Sequence, residues 1–331
     1  MGIVLGLTSH FMTMGTFSTL AILCLLYILF QVAFQGSYVF YVSYLENFKR
    51  QNKSKDEVSS YGMGFGQLGN AISIGLMGAF VVGGSFGLLG VTGKPLTFIL
   101  GGVTFITLAL PFLLQKQEEK VIIKRQDLFS YKEFVTYIKQ DKKIFYFLIG
   151  YLLLSDSVAT LQVYVSLYAV NVFDFTEKQT SIVGAISLFS LFLTCIALGK
   201  FGSKIHDKRR ALSLGGGIYV VVFLLFGLSQ GSFIFVASTF VFLGIAYGLF
   251  FPLARAVFSN IIPSEDQAKF FSSFVIFERA ASVLGPIIWV VMLFVLSNHS
   301  VEMQYRGNVL LLGLVAFLGI LLIRKSFSYW R

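Results

Sequence analysis

PLTFILGGVTFITLALPFLL, residues 95–114, carries no charged side chain. At 1.5 Å per residue it makes about 30 Å of helix, the thickness of a bilayer's hydrocarbon core. FSTLAILCLLYILFQVAF at 17–34 and VLLLGLVAFLGILLI at 309–323 are similar apolar runs, as long as a span or nearly so. Backbone groups in lipid find no water, so segments of this kind must satisfy their own hydrogen bonds as helices. The whole chain agrees: of its 331 residues 56% are hydrophobic and 13% charged, with a mean hydropathy of +0.79. A soluble domain carries about a quarter charged residues, so the expectation is an all-α, polytopic membrane protein with the lipid bilayer as its surroundings.

A net charge of +10 and a pI of 9.5 raise the question of nucleic acid. The basic residues, however, sit in short clusters between apolar runs, which is the pattern of membrane topology and not of a nucleic-acid surface. Cys24 and Cys195 lie inside apolar segments at no metal-ligand spacing, and are read as small buried hydrophobes. His10, His206 and His299 are scattered and form no ligand set. No nucleophile motif, metal cluster or phosphate-binding glycine loop appears, so neither enzyme chemistry nor a cofactor is expected. No basic residue precedes Lys49, so a signal peptide is not recognised, and a prokaryotic inner membrane is the expected location.

Hydropathy and punctuation place nine full spans near 17–45, 58–83, 91–114, 144–170, 178–199, 210–229, 232–257, 268–297 and 307–324. Met1 to Gly15 is apolar but only about 22 Å long as a helix, a partial span. Of the 26 Lys and Arg, 22 fall in one set of alternate loops; Lys94, Lys178 and Arg306 make up the other set, and Arg279 lies within a span. The richer set, which holds 115–143 and the C-terminus, is expected on the cytoplasmic side. The stretch 115–143 has two readings, a helix lying on the membrane surface through Phe129, Phe134, Val135 and Ile138, or a solvated connector.

SKDEVSSYGMGF at 54–65 and SEDQAKFFSSFV at 264–275 share a short acidic loop that leads into a helix rich in small residues. Parallel repeats of this kind build one common transporter architecture. Three longer stretches then bear on family. VFYVSYLENFKRQNKSKDEVSSYGMGFGQLGN at 39–70 contributes Phe40, Tyr41, Ser59, Ser60, Gly62, Gly66 and Gly69. FYFLIGYLLLSDSVATLQVYVSLYAVNVF at 145–173 contributes Asp156, Val158 and Thr160. GLFFPLARAVFSNIIPSEDQAKFFSSFVIFERAASVLGP at 248–286 contributes Arg255, Pro263, Phe270, Phe271, Gly285 and Pro286, with Arg279 where a basic residue is usual.

On these residues the chain resembles the major facilitator superfamily, in particular the vacuole effluxer branch that includes fungal autophagy-related vacuolar amino-acid exporters and bacterial relatives. Val42, Asn70, Ser155, Ser157 and Glu278 depart from that pattern. GKFGSKIHDKRR at 199–210 resembles the superfamily's Gly-x-Leu-Ala-Asp-Arg loop through Gly199, Lys204 and the basic cluster, with Ser203 in place of its Asp. The resemblance covers roughly residues 1–325 and makes the nine spans the family's helices four to twelve. It implies an incomplete N-terminal half at 1–114, a cytoplasmic linker at 115–143 and a complete six-helix half at 144–331. About eighty to a hundred residues are then expected upstream, at about 30 Å of helix for each lost span.

The implied activity is alternating-access transport of a small organic solute such as an amino acid, with or without proton coupling and in an oligomeric state the sequence leaves open. The alternative is a truncated or degenerate, non-transporting membrane partner. Asp156 lies about 18 Å into its helix and Arg279 at a similar depth, where a charge needs a cavity or a partner. They read either as a substrate- or proton-binding carboxylate with its counter-charge, or as an ion pair that fixes packing. Glu278, Gln31, Gln35, Gln67 and Asn70 are further binding candidates, with interhelical hydrogen bonding as the other reading. Arg255, Lys204 and Gly199 are gating candidates, and Arg255 alternatively snorkels to the headgroups.

Overall fold

The computed structural model describes residues 22, 24–30, 32–33, 55–77, 87–88, 91–92, 94–114, 138, 140–229, 232–262, 274 and 283–329. Helix α1 runs Lys55–Met77 and α2 Lys94–Leu114, and between them a two-residue hairpin pairs β1 (Gly87–Leu88) with β2 (Val91–Thr92), antiparallel. There follow α3 (Lys142–Phe173), α4 (Glu177–Phe201), a single 3-10 turn Gly202–Lys204, α5 (Lys208–Leu228), α6 (Phe233–Ile261), α7 (Val283–Val295) and α8 (Val301–Ser328). Described residues in 22–33 are helical as well. The fold is the all-α membrane bundle that the sequence predicts; α3, α4, α5, α6 and α8 are each long and apolar enough to cross a bilayer.

Polar residues at the helix ends set the boundaries. Asp141 caps α3 by accepting from the N–H groups of Lys143 and Ile144, and Asp174, in the left-handed conformation at φ 54°, ends it. Two residues later Thr176 and Gln179 form a capping box that starts α4, so α3 and α4 turn back on each other through a tight connection. Asp207 caps α5 through the N–H groups of Arg209 and Arg210, and Ser300 caps α8 through that of Met303. These caps extend several spans beyond their hydropathy limits. α8 begins six residues earlier than expected, which takes Arg306 out of a loop and into the helix. There it pairs with Glu302 at 2.8 Å and donates to the Gly227 carbonyl.

The chain falls into two compact units, Met1–Tyr44 with Ile72–Leu128, and Leu45–Ala71 with Phe129–Arg331. In the second unit helices meet along small residues. A Cβ on Gly150 of α3 would lie 2.8 Å from the Ile323 backbone nitrogen, and one on Gly319 of α8 would lie 2.8 Å from the Gly150 carbonyl oxygen, so the two backbones touch. Lipid tails are as apolar as leucine, which leaves close packing to hold such helices together. Around this crossing the core is aromatic: Phe147 and Tyr151 of α3 stack against Phe258 and Phe250 of α6, and Tyr151 lies 4.3 Å from Phe274.

Cys195 is buried as expected, but Cys24 is exposed. An apolar segment in a membrane protein has a lipid-facing side, and an apolar neighbourhood in sequence does not distinguish that side from the interior. The same applies to Ile234, Leu228 and Phe294, all apolar and all on the outside.

Candidate functional site in the second unit

α3 turns one stripe of side chains, Asp156, Thr160, Tyr164 and Tyr168, toward its neighbours, each four residues after the last and so one helical turn apart. Asp156 is 2% exposed and lies about 21 Å along α3 from Lys142, near the middle of a helix about 48 Å long. Its Oδ1 accepts a hydrogen bond of 2.6 Å from the backbone N–H of Gly285, the third residue of α7. A carboxylate oxygen from one helix thus takes a main-chain donor of another, a charge-assisted contact that fixes both.

Gly285 is required by that approach. A Cβ there would overlap Thr160 Oγ1 and come within 3.0 Å of Asp156 Oδ1. One turn on, Trp289 of α7 stacks on Tyr164 with ring centres 4.5 Å apart and 3° between planes, and it meets Tyr305 of α8 edge-on. Tyr168 closes the stripe by donating its hydroxyl to the Phe226 carbonyl of α5. Thr160 Oγ1, Ser155 Oγ and Trp289 Nε1 are buried with no hydrogen-bond partner among the described residues. Buried polar atoms in native proteins are nearly always bonded, to protein or to water or ligand. Thr160 Oγ1, which shares the approach to Gly285 with the Asp156 carboxylate, is therefore a polar atom that a solute or water can complete.

Of the residues singled out from sequence, Asp156 is central to this seam. Arg279, Glu278, Gln31 and Gln35 lie outside the described residues, as does 115–137 of the expected linker. Gln67 and Asn70 sit on α1 and bond to each other, Asn70 Nδ2 donating to Gln67 Oε1 at 3.0 Å. A Cβ on Gly199 would lie 3.1 Å from the Tyr61 ring of α1, and Lys204 places its ammonium 5.7 Å from the centre of the Phe201 ring. Arg255 is partly buried and lies inside α6, because that helix continues to Ile261 past the expected end at 257.

Thr160, Gly285, Tyr164 and Trp289 were not among the sequence candidates. For the α3 pair the signal was available, since counting in fours from Asp156 reaches both. Gly285 and Trp289 share the same spacing on α7, but nothing in one sequence says that the two stripes face each other.

The sequence profile of the family described as "Vacuole effluxer Atg22 like" matches residues 1–325. Autophagy-related protein 22 of Yarrowia lipolytica is 28% identical over 194 residues, covering 56% of this chain and 32% of that protein. The protein of the same name from Vanderwaltozyma polyspora is 29% identical over 163 residues, covering 44% and 30%. The Saccharomyces cerevisiae S288c one is 24% identical over 187 residues, covering 52% and 34%. Each match thus spans about a third of the relative's own length. Among solved structures, a bacterial homolog of the human lysosomal transporter Spinster, in an inward-facing and occupied conformation, superposes with a TM-score of 0.50 at 12% identity, covering 81% of this chain and 67% of that one. That likeness shows the fold, a major facilitator type bundle. The three curated relatives are fungal and the family is described by the vacuole, so the expectation of a prokaryotic inner membrane finds no support among them.

Proposed function

We infer a transport function from one premise: the chain belongs to the Atg22-like vacuole effluxer family, whose profile matches residues 1–325. It is an integral, multi-pass membrane protein of the major facilitator fold, and its proposed work is to carry a small organic solute, in the class of amino acids, by alternating access. The observation that supports this best is Asp156, a carboxylate buried near the middle of a membrane-spanning helix. A charge at that depth is costly and is retained where it serves a pathway or a partner.

In this reading Asp156 binds the ammonium group of the solute or carries a coupling proton. Arg279 supplies the counter-charge or anchors the solute's carboxylate. Glu278, Gln31, Gln35, Gln67 and Asn70 are the proposed polar lining, and Arg255, Lys204 and Gly199 the proposed gating positions. The proposed domain plan keeps 1–114 and 144–331 as transmembrane parts joined by 115–143. The cytoplasmic placing of that linker and of the C-terminus rests on the distribution of 22 of the 26 basic residues.

Uptake of radiolabelled amino acids into proteoliposomes holding this chain tests the function. Accumulation above protein-free liposomes, abolished by Asp156→Asn, supports it. Absence of uptake from a folded, reconstituted chain favours the non-transporting membrane partner.

A further inference from the structure

α3 and α8 are longer than a bilayer requires. Their 32 and 28 residues make about 48 and 42 Å of helix against about 30 Å of hydrocarbon, so their ends stand in the headgroup layer. At one such place the start of α3 meets the finish of α8. Tyr146 and Tyr329 stack there with ring centres 5.7 Å apart and 7° between planes. The Lys325 ammonium lies 4.4 Å from the Tyr146 ring centre, and the Lys142 ammonium 6.0 Å from that of Tyr329.

Lys143 and Arg324 add two further positive charges. Against these four stands Asp141, whose Oδ1 is spent on capping α3 and whose Oδ2 lies 3.8 Å from Lys143. Among the described residues, no carboxylate is in ion-pair reach of Lys142, Arg324 or Lys325. An open cleft of about 470 Å³ lies here, lined by Gln140, Asp141, Lys142, Lys143 and Tyr329.

We propose that this cleft binds the phosphate of an anionic phospholipid headgroup. The Lys142 ammonium lies over the Tyr329 ring, and that of Lys325 hydrogen-bonds the Tyr146 hydroxyl, so each ammonium, with three donors, keeps N–H groups to meet phosphate oxygens. Basic places between helix ends at the membrane surface attract anionic headgroups, and tyrosines with lysines are the usual residues at that level. Inorganic phosphate offers the same oxygens. A lipid brings acyl chains too, and Phe145 of α3, in edge contact with Tyr146, and Leu321 of α8, one turn before Lys325, are exposed apolar side chains that can meet them. The proposal depends neither on transport activity nor on which side of the membrane these ends face.

Native mass spectrometry of the detergent-purified chain, titrated with phosphatidylglycerol or phosphatidylcholine, tests it. The variant Lys142→Ala/Lys325→Ala should lose on the order of tenfold in phosphatidylglycerol affinity with phosphatidylcholine binding unchanged. Arg209→Gln/Arg210→Gln, which removes the same charge from the start of α5, should lose less than about twofold, and Lys142→Arg/Lys325→Arg should retain binding. Equal losses in the two charge-removing variants would reduce the effect to net charge and overturn the site. Millimolar inorganic phosphate that displaces the lipid completely would assign the cleft to free phosphate and overturn the lipid.

Discussion

The carboxylate of Asp156 and the backbone N–H of Gly285, 129 residues apart in the chain, are joined by a hydrogen bond of 2.6 Å inside the membrane-spanning bundle. This one contact ties α3 to α7 near the middle of α3. Truncating Asp156 to Ala leaves the Gly285 N–H without its acceptor and is expected to cost about 1–3 kcal/mol, read as a lowered unfolding midpoint in detergent. Asp156→Asn keeps an acceptor oxygen in place while removing the charge, so it should lose less than Asp156→Ala by about 1 kcal/mol. Equal losses would mean that charge, and not acceptance of the Gly285 donor, stabilises the seam.

Close packing at the same point makes a second prediction. Gly285→Ala forces a methyl group onto Thr160 Oγ1 and is expected to destabilise by about 1–3 kcal/mol. Adding Thr160→Ala removes the obstructing hydroxyl, so the double variant should be more stable than additivity allows. Thermal unfolding of the four proteins measures the coupling, and additive losses would contradict the contact.

Asp156 and Arg279 are predicted to be coupled as well, on their opposite charge and the similar depth that counting along the sequence implies. Leaving either charge alone in a low-dielectric place should cost more than removing both. Asp156→Asn and Arg279→Gln should each lower detergent stability, with partial recovery in the double variant. Additive losses would return the two residues to separate roles.

Orientation can be checked with single cysteines in a Cys24→Ala/Cys195→Ala background. Replacements at Lys53, Lys124 and Lys208 should be shielded from an impermeant thiol reagent in intact cells, and those at Lys94, Lys178 and His299 should be labelled. Labelling at Lys124 from outside would reverse the proposed topology.

The spans were legible because lipid demands length and apolarity, and both are written in runs such as 95–114 and 309–323. Their ends were less so: hydropathy fades where Asp141, Asp207 and Ser300 begin their caps, and the helices run on past the apolar limit. Asp156 stood out as a lone charge in an apolar helix. Its hydrogen-bond partner did not, since a glycine N–H leaves no mark on composition. The stretches at 145–173 and 248–286 that carry the family resemblance hold Asp156, Thr160 and Gly285, and these three residues meet in space. Which face of an apolar helix turns to lipid was illegible, as exposed Cys24 shows, because lipid and protein interior select the same side chains.

Transport through the Asp156 site is tested most directly by counterflow. Proteoliposomes containing the chain are loaded with unlabelled amino acids, diluted into a labelled trace, and compared with proteoliposomes containing Asp156→Asn at equal reconstituted amounts. The account predicts transient accumulation of label by the wild-type chain and at least a tenfold smaller signal from the variant, a loss of about 1.4 kcal/mol or more in the rate-limiting step. Equal accumulation by both proteins, or none by a wild-type chain shown to be folded and inserted, would contradict it.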